Sequence, residues 1–252
     1  MFGCIVNAPG GSGSTPQSAD MNCSDGRGFA AFAASSRPGH VGARVSDGTL
    51  TGASLPAVFG ANAGLSDSVT FTAAGGGAGV GPILVSFNFD FNGKHAVAPG
   101  LFDGASLLAI VNANGATVAR LHIVDHGDAA LFCDDAFNGV DCAEILSGRV
   151  VTDTFLVPLG VPISFSMSLE VLAFSEGAGA SASAEFSNSL DIPVGEDVFN
   201  LPIGFTADAP DSLIIDNRFV PEPEPGLSAI SGTAMLSMLV ICRMRKRARS
   251  LS

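Results

Sequence analysis

The chain of 252 residues is long enough for one β-rich domain with a hydrophobic core, or for two small ones at most. Charged residues make up only 14%, and the 31 Gly and 14 Pro indicate many turns, which favours an all-β fold over salt-bridged helices. Residues 1–242 hold seven of the twelve basic residues and all 24 acidic ones, so this part of the chain has a net charge of −17. A protein part with this negative charge repels the phosphate backbone of nucleic acids, which excludes DNA and RNA as partners.

Residues 1–39 are predicted to form a Gly- and Ser-rich segment in front of the main domain. Cys4 and Cys23 bracket a stretch of Gly, Ser and Pro, and in an oxidising compartment a disulfide between them is favoured over two free thiols. Residues 29–36 could form a short helix, but they carry no cap and are followed by Pro38. A loop or a strand edge therefore fits this stretch equally well.

Residues 40–219 are dominated by strand patterns and are predicted to form one domain. Apolar and polar residues alternate with a period of two, so each strand has a buried face and an exposed one. This alternation is present in residues 66–73, 83–92, 107–111 and 117–125. The last two are separated by Asn-Ala-Asn-Gly, whose Asn and Gly tolerate positive φ, and this predicts a hairpin.

Two further strand patterns lie at residues 163–173 and 180–192, on either side of a Glu-Gly-Ala-Gly sequence. Their apolar residues alternate with Ser, Glu and Asp, and the two segments are predicted to pair as a long antiparallel hairpin. With about eight to ten strands and no helical periodicity, the domain is predicted to be a two-sheet antiparallel sandwich of the jelly-roll type.

Two patterns match known metal sites in part. His122 and His126 have the spacing of a helical zinc site, but in a strand they would lie about 13 Å apart, so we expect surface histidines near a strand end.

Cys133 and Cys142 enclose a polar loop and are predicted to form a second local disulfide. The loop matches an EF-hand register only partly, so calcium binding and a solvated acidic turn are the alternatives. Its candidate calcium ligands are Asp134, Asp135, Asn138 and Asp141.

The sequence contains no pattern that predicts catalysis. No Gly-x-Ser-x-Gly occurs, the paired cysteines are expected to be oxidised, and the carboxylates have no fixed partners in the sequence. We therefore predict that the protein is not an enzyme and that it has no cofactor, apart from the calcium alternative. The absence of Trp and Tyr also argues against a sugar-binding cleft with an aromatic platform, and leaves open a polar, calcium-dependent mode.

Residues 220–252 consist of three parts in sequence. A spacer of alternating Pro and Glu forbids a helix, and it is followed by an uncharged apolar stretch at 227–242 and a basic tail at 243–252. As a helix the apolar stretch is about 24 Å long, which is marginal for a hydrocarbon core of about 30 Å and suits a temporary transmembrane anchor. The basic tail stays on the cytoplasmic side, so the acidic body lies outside. The spacer residues are Pro221, Glu222, Pro223, Glu224 and Pro225, and the basic residues are Arg243, Arg245, Lys246, Arg247 and Arg249.

This order of spacer, apolar span and arginine cluster resembles the PEP-CTERM sorting region of exported Gram-negative proteins. The resemblance implies that a membrane enzyme, exosortase, recognises the tag, cleaves near the Pro-Glu-Pro and delivers the body to the cell surface or the polysaccharide matrix. The matching positions are 221–223 or, equally, 223–225. An ordinary tail anchor is the alternative, but it does not need a Pro-Glu spacer. Residues 1–8 contain no basic residue and no long apolar run, so the prediction of export depends on the tail.

We therefore expect a non-enzymatic surface or biofilm-matrix protein that is held briefly in the inner membrane and then transferred to the cell surface or the exterior. Its expected partners are the sorting enzyme, the inner membrane before processing and extracellular polysaccharide. Two alternatives are a calcium-assisted glycan-binding sandwich and a secreted hydrolase with an unrecognised site. Calcium-dependent stabilisation with retention on polysaccharide would favour the former, and activity abolished by a single Asp or His substitution would favour the latter.

Overall fold

The computed structural model describes residues 2–7, 11–12, 17–24, 28–49, 57–74, 81–98, 104–125, 131–134, 145–175 and 180–221. Within these residues the chain forms eighteen β-strands and a short 3-10 helix at Pro210–Ser212, with no α-helix. The strands belong to one compact unit, which ends at Val220. The predicted all-β fold is confirmed.

Two sheets of eight strands contain most of the described chain. In the first sheet the order is β1-β6-β13-β8-β9-β10, and the short strands β2 and β16 also pair with β6. All of its pairs are antiparallel except those of β1 and β2 with β6. Its strands are β1 (Phe2–Asn7), β2 (Gly11–Ser12), β6 (Ala57–Ala73), β8 (Gly104–Ala113), β9 (Ala116–Asp125), β10 (Leu131–Asp134), β13 (Ile163–Ser175) and β16 (Phe205–Asp208).

The second sheet is wholly antiparallel, with the order β11-β7-β14-β5-β4-β3, and β12 and β15 also pair with β7. A small hairpin of β17 (Ile214–Ile215) and β18 (Arg218–Phe219) follows the last strand of the sheets. The strands of the second sheet are β3 (Gln17–Ser24), β4 (Gly28–Arg37), β5 (His40–Thr49), β7 (Ile83–Val97), β11 (Ile145–Val151), β12 (Phe155–Val157), β14 (Ser181–Asp191) and β15 (Phe199–Asn200).

The predicted hairpin of β8 and β9 is confirmed. The strands pair from Ala105 with Asp125 to Ala113 with Ala116. Asn114 and Gly115 form the turn with φ angles of 51° and 78°, the left-handed region that Asn and Gly adopt most readily.

The predicted hairpin of residues 163–173 and 180–192 is wrong. Both segments are strands, but β13 lies in the first sheet between β6 and β8, whereas β14 lies in the second sheet between β5 and β7. The two strands pack face to face across the core instead of pairing edge to edge. The alternation of apolar and polar residues cannot distinguish pairing within one sheet from packing between two sheets, because a strand in either arrangement has one buried face.

The predicted boundary between an N-terminal segment (residues 1–39) and the main domain (residues 40–219) is also wrong. Residues 29–36 are neither helix nor loop but belong to β4, which pairs with β5 from Gly28 opposite Thr49 to Arg37 opposite His40. The proposed boundary therefore falls inside a β-hairpin. The helix propensity of Ala suggested a short helix in this Ala-rich stretch. The burial of Ala30, Phe32 and Ala34 between the sheets stabilises a strand instead.

A cluster of phenylalanine rings joins the two sheets. Phe71 and Phe165 come from the first sheet and Phe87 and Phe199 from the second, and all four are buried. The centroid of Phe87 lies 4.6 Å from that of Phe165 and 5.4 Å from that of Phe199, and Phe71 lies 5.1 Å from Phe199. These edge-to-face and tilted contacts are the favourable geometries for aromatic pairs.

The segment after β14 closes one end of this core. Phe199 is held there by the side chain of Asn217, whose Oδ1 accepts the backbone N–H of Phe199 at 2.9 Å and whose Nδ2 donates to the Phe199 carbonyl at 2.8 Å. The amide thus completes both backbone hydrogen bonds of a strand residue. Val220, one residue after β18, donates its N–H to the carbonyl of Leu213.

Replacement of Phe87 by Ala is expected to reduce the free energy of unfolding by about 3–5 kcal/mol, because it removes a fully buried ring between the sheets. Urea unfolding would measure the change. Leu156→Ala is the matched control, since the Leu156 side chain is 59% exposed and its loss should change stability by less than about 0.5 kcal/mol. Equal effects of the two substitutions would contradict the assignment of the core.

Candidate functional site

The second sheet carries a row of charged side chains on the face that points away from the first sheet. His40, Asp191, Asp90 and Arg149 are successive cross-strand partners on β5, β14, β7 and β11. Their neighbours along each strand are buried in the core: Val41, Leu190, Phe89, Phe91 and Val150. Because side chains alternate along a strand, the four partners lie on the outer face. We call these four residues the charged row.

At one end of the row, His40 connects a carboxylate to a hydroxyl group. Its Nδ1 lies 2.6 Å from Asp191 Oδ1, and its Nε2 lies 3.4 Å from Ser35 Oγ on β4. The His40 side chain is only 7% exposed, whereas that of Asp191 is 35% exposed and Ser35 is half-buried. A neutral imidazole that donates from Nδ1 to Asp191 leaves Nε2 free to accept the Ser35 hydroxyl hydrogen.

The backbone beside His40 allows this arrangement because residue 42 is Gly. Strand β14 contains a bulge between Phe186 and Leu190, which face Ala43 and Val41 of β5, so β14 has two extra residues there. The bulge brings the Ser187 carbonyl oxygen over Gly42, where a Cβ would lie 2.1 Å from that oxygen and 3.1 Å from His40 Nε2. Any larger residue would displace either the bulge or the imidazole.

At the other end of the row, Arg149 binds two carboxylates. Its Nε and one terminal nitrogen donate to the two oxygens of Asp90, and the other terminal nitrogen donates to Glu196 Oε2 at 2.7 Å. Hydrogen bonds to Glu196 and Asp90 raise the pKa of Arg149 above its ordinary value. The hydrogen bond and charge of Arg149 hold the pKa of Glu196 below its ordinary value.

Asp90 and Asp191 are directly opposite each other in the sheet. Two like charges at this separation, with Cβ atoms about 5 Å apart, destabilise a strand pair. Here each carboxylate has its own partner, Arg149 for Asp90 and His40 for Asp191. The four side chains therefore form two paired units.

A third polar group lies further along β7. The Asn88 and Asn200 side-chain amides donate to each other at 2.9 and 3.1 Å, and Asn200 Nδ2 also donates to Ser86 Oγ at 2.9 Å. Asn88 Nδ2 in addition donates to the carbonyl of Asp197. These bonds hold β15 against β7.

A second His–Asp pair lies inside the sandwich. His95 of β7 and Asp125 of β9 come from different sheets, and His95 Nδ1 lies 2.8 Å from Asp125 Oδ2. Their side chains are 2% and 11% exposed. Asp125 is the last residue of β9. His122, one of the two histidines of the predicted metal pair, is a half-buried residue of the same strand. His126 lies outside the described residues, so the pairing of His122 with His126 at a metal stays untested.

The structure describes only some of the other predicted site residues. Cys4 lies on β1 and Cys23 on β3, two edge strands in contact with each other, so the predicted disulfide would join the edges of the two sheets. Cys133 and Asp134 lie on β10, while Cys142, Asp135, Asn138 and Asp141 are outside the described residues. Both disulfides and the calcium loop stay predictions. In the described part of the chain, no group of three or more His, Cys, Asp or Glu side chains could hold a metal ion.

Of the predicted sorting region, the described residues reach only Pro221. Glu222, Pro223, Glu224, Pro225, the apolar stretch and the basic tail from Arg243 to Arg249 lie beyond it. No helix among the residues that the structure describes is long and apolar enough to cross a membrane.

Sequence reasoning missed the charged row and both His–Asp pairs. His40 and Asp191 are 151 positions apart, and Asp90 and Arg149 are 59 apart, so no local spacing signals them. One signal was available, since alternation in residues 83–92 already placed Asp90 on the polar face of its strand. Its partners depend on which strands become neighbours.

Comparison with known proteins gives no family, because no protein-family model matches the chain and no curated protein matches it.

Gly42→Ala is expected to lower the free energy of unfolding by about 1–3 kcal/mol, because the new Cβ would clash with the Ser187 carbonyl. Thermal or urea unfolding would measure this loss. Gly64→Ala on β6 is the matched control, since its Cβ would meet the nearest atom at an ordinary 3.5 Å. If both substitutions were harmless, the bulge would not pack over Gly42 as described.

Arg149→Gln is expected to reduce stability at pH 7 by about 0.5–1 kcal/mol, the usual contribution of a partly exposed ion pair. Because the folded state depresses the pKa of Glu196, its contribution is present above the unfolded-state pKa and disappears as pH falls through the folded-state value. Unfolding curves of the two proteins should therefore converge below about pH 4. Arg218→Gln is the control, since Arg218 Nε lies 3.7 Å from Asp197 and both side chains are largely exposed. A larger loss of unfolding free energy for Arg218→Gln than for Arg149→Gln would contradict the assignment of Arg149 as the stabilising partner of Asp90 and Glu196.

Proposed function

We propose that this chain is an exported bacterial surface or extracellular-matrix protein, delivered by a C-terminal sorting region of the PEP-CTERM type. The observation that carries the proposal is the order of Pro-Glu-Pro-Glu-Pro, apolar stretch and arginine cluster in residues 221–252. This segment begins directly after Val220, the last residue of the compact unit. A cleavage site within this Pro-Glu stretch would lie after the last strand of the body, which ends at Phe219.

In the proposed pathway, residues 227–242 form a single apolar helix that holds the protein in the inner membrane. The basic tail stays in the cytoplasm, and the acidic body lies outside. An enzyme of the exosortase type then cuts near residues 221–225 and releases the body to the cell surface or the polysaccharide matrix. The same proposal places Cys4–Cys23 and Cys133–Cys142 disulfides in an oxidising compartment.

The role that we propose for the released body is structural and needs no catalytic centre or cofactor. We propose a sandwich of the jelly-roll type, in which about half of the connections between successive strands cross from one sheet to the other. Support comes from the described polar groups of the outer face, such as Asn88 and Asn200, which hydrogen-bond mainly to each other and to the backbone. Such bonds satisfy the polar groups of this face without a ligand.

The intact mass of the protein recovered from the exterior of a host with the sorting enzyme tests this proposal. We expect a chain that ends between residues 221 and 225, because the tag is removed there. The same host with an inactivated sorting enzyme is the control and should retain the full mass in its membrane fraction. An exterior protein that still carries the arginine cluster would overturn the proposal and indicate a membrane-anchored protein.

A further inference from the structure

The strongest unassigned arrangement in the described structure is the hydrogen-bonded chain Ser35–His40–Asp191. Nucleophilic serines are activated by an imidazole that accepts the hydroxyl hydrogen at one nitrogen and is oriented by a carboxylate at the other. His40 has both contacts in that order, with Asp191 on Nδ1 at 2.6 Å and Ser35 on Nε2 at 3.4 Å. The contact to Ser35 is longer than most hydrogen bonds between a hydroxyl group and a ring nitrogen.

We propose that Ser35 is a nucleophile that attacks short, neutral acyl esters, with His40 as its general base and Asp191 as a positioning residue. This inference goes beyond the structural role proposed above, and neither depends on the other. It also departs from the absence of catalysis expected from the sequence, in which Ser35 and Asp191 are too far apart to be recognised as partners.

The reaction needs only the ester and water. As Ser35 Oγ bonds to the carbonyl carbon, its proton passes to His40 Nε2. The ester C–O bond then breaks, and the alcohol leaves with the proton from His40. Water attacks the acyl-serine in the same way, giving its proton to His40, and the carboxylic acid is released as Ser35 regains a hydrogen.

The surroundings of Ser35 determine the class of ester. Its cross-strand partners are Ser18 on β3 and Gly42 on β5, which are both small and provide no apolar cleft for a long acyl chain. The net charge of −17 on residues 1–242 repels anionic substrates. A short neutral ester, such as an acetyl ester, fits both conditions.

The protein scaffold holds His40 in a defined orientation. The ring is almost completely buried, with Asp191 on one side and the Gly42 backbone below Nε2. The bulge in β14 brings Ser187 over Gly42, and bulges of this kind are frequent beside active sites. A rigid imidazole loses little entropy when it takes up the Ser35 proton.

The test is covalent labelling of the full chain, kept in mild detergent, with a fluorophosphonate probe. The labelled residue is identified by peptide mass, and hydrolysis of p-nitrophenyl acetate is followed in parallel. We expect one label, on Ser35. His40→Gln should lower the labelling rate by about 100-fold or more, and Asp191→Asn should lower kcat for p-nitrophenyl acetate by about tenfold or more at an unchanged KM.

Ser46→Ala is the matched control. Ser46 lies on the same outer face of β5, and its hydroxyl donates to the Ala31 carbonyl, so labelling should be unchanged. Unfolding curves establish that each variant is folded, and Ser35→Ala, which removes only one long hydrogen bond, should fold normally and carry no label. Wild-type protein without a label on Ser35, or a label whose rate is the same in folded His40→Gln, would overturn the proposal.

Discussion

Burial of phenylalanine between two sheets is the constraint on which the rest of this structure depends. The rings of Phe71, Phe87, Phe165 and Phe199 meet across the core, and they come from β6, β7, β13 and β15. Because two of these strands belong to each sheet, the contact of the four rings fixes how the two sheets pack against each other. With neither Trp nor Tyr in the sequence, the phenylalanine cluster contains no indole or phenol group that needs a hydrogen-bond partner.

The core also determines what the outer face presents. In β7, Phe87, Phe89 and Phe91 point inward, so Asn88 and Asp90 must point outward. An outward carboxylate at position 90 lies opposite Asp191, and this repulsion is offset by the guanidinium of Arg149 beside Asp90 and by the hydrogen bond between His40 and Asp191. The charged row is thus a consequence of strand order, because each residue meets its partner only when β5, β14, β7 and β11 are neighbours.

The two His–Asp pairs illustrate how different positions in one fold lead to different chemistry. His95 and Asp125 face each other inside the sandwich, where little water reaches them and where the pair ties one sheet to the other. His40 and Asp191 lie on the outer face, where the second imidazole nitrogen meets a half-buried hydroxyl. The interior pair is closed to solvent, whereas on the outer face the Asp191 carboxylate and the Ser35 residue beside His40 are partly exposed. A surface protein of the kind proposed would present the His40–Asp191 pair on its outer face.

The sequence by itself determined the all-β class, the strands in residues 83–92, 117–125 and 163–173, and the turn at Asn114 and Gly115. These features are local, because a period of two and tolerance of positive φ are properties of neighbouring residues. The order of spacer, apolar stretch and arginine cluster is likewise a property of the sequence alone.

Tertiary structure decided which strands became neighbours. It separated β13 from β14 into different sheets, made the Ala-rich residues 29–36 a strand, and brought His40 to Asp191 and Asp90 to Arg149. The physical reason is that a strand with one apolar face is satisfied equally well by any partner that covers that face. Only the packing of the whole core selects among these partners, and the candidate site depends on that selection.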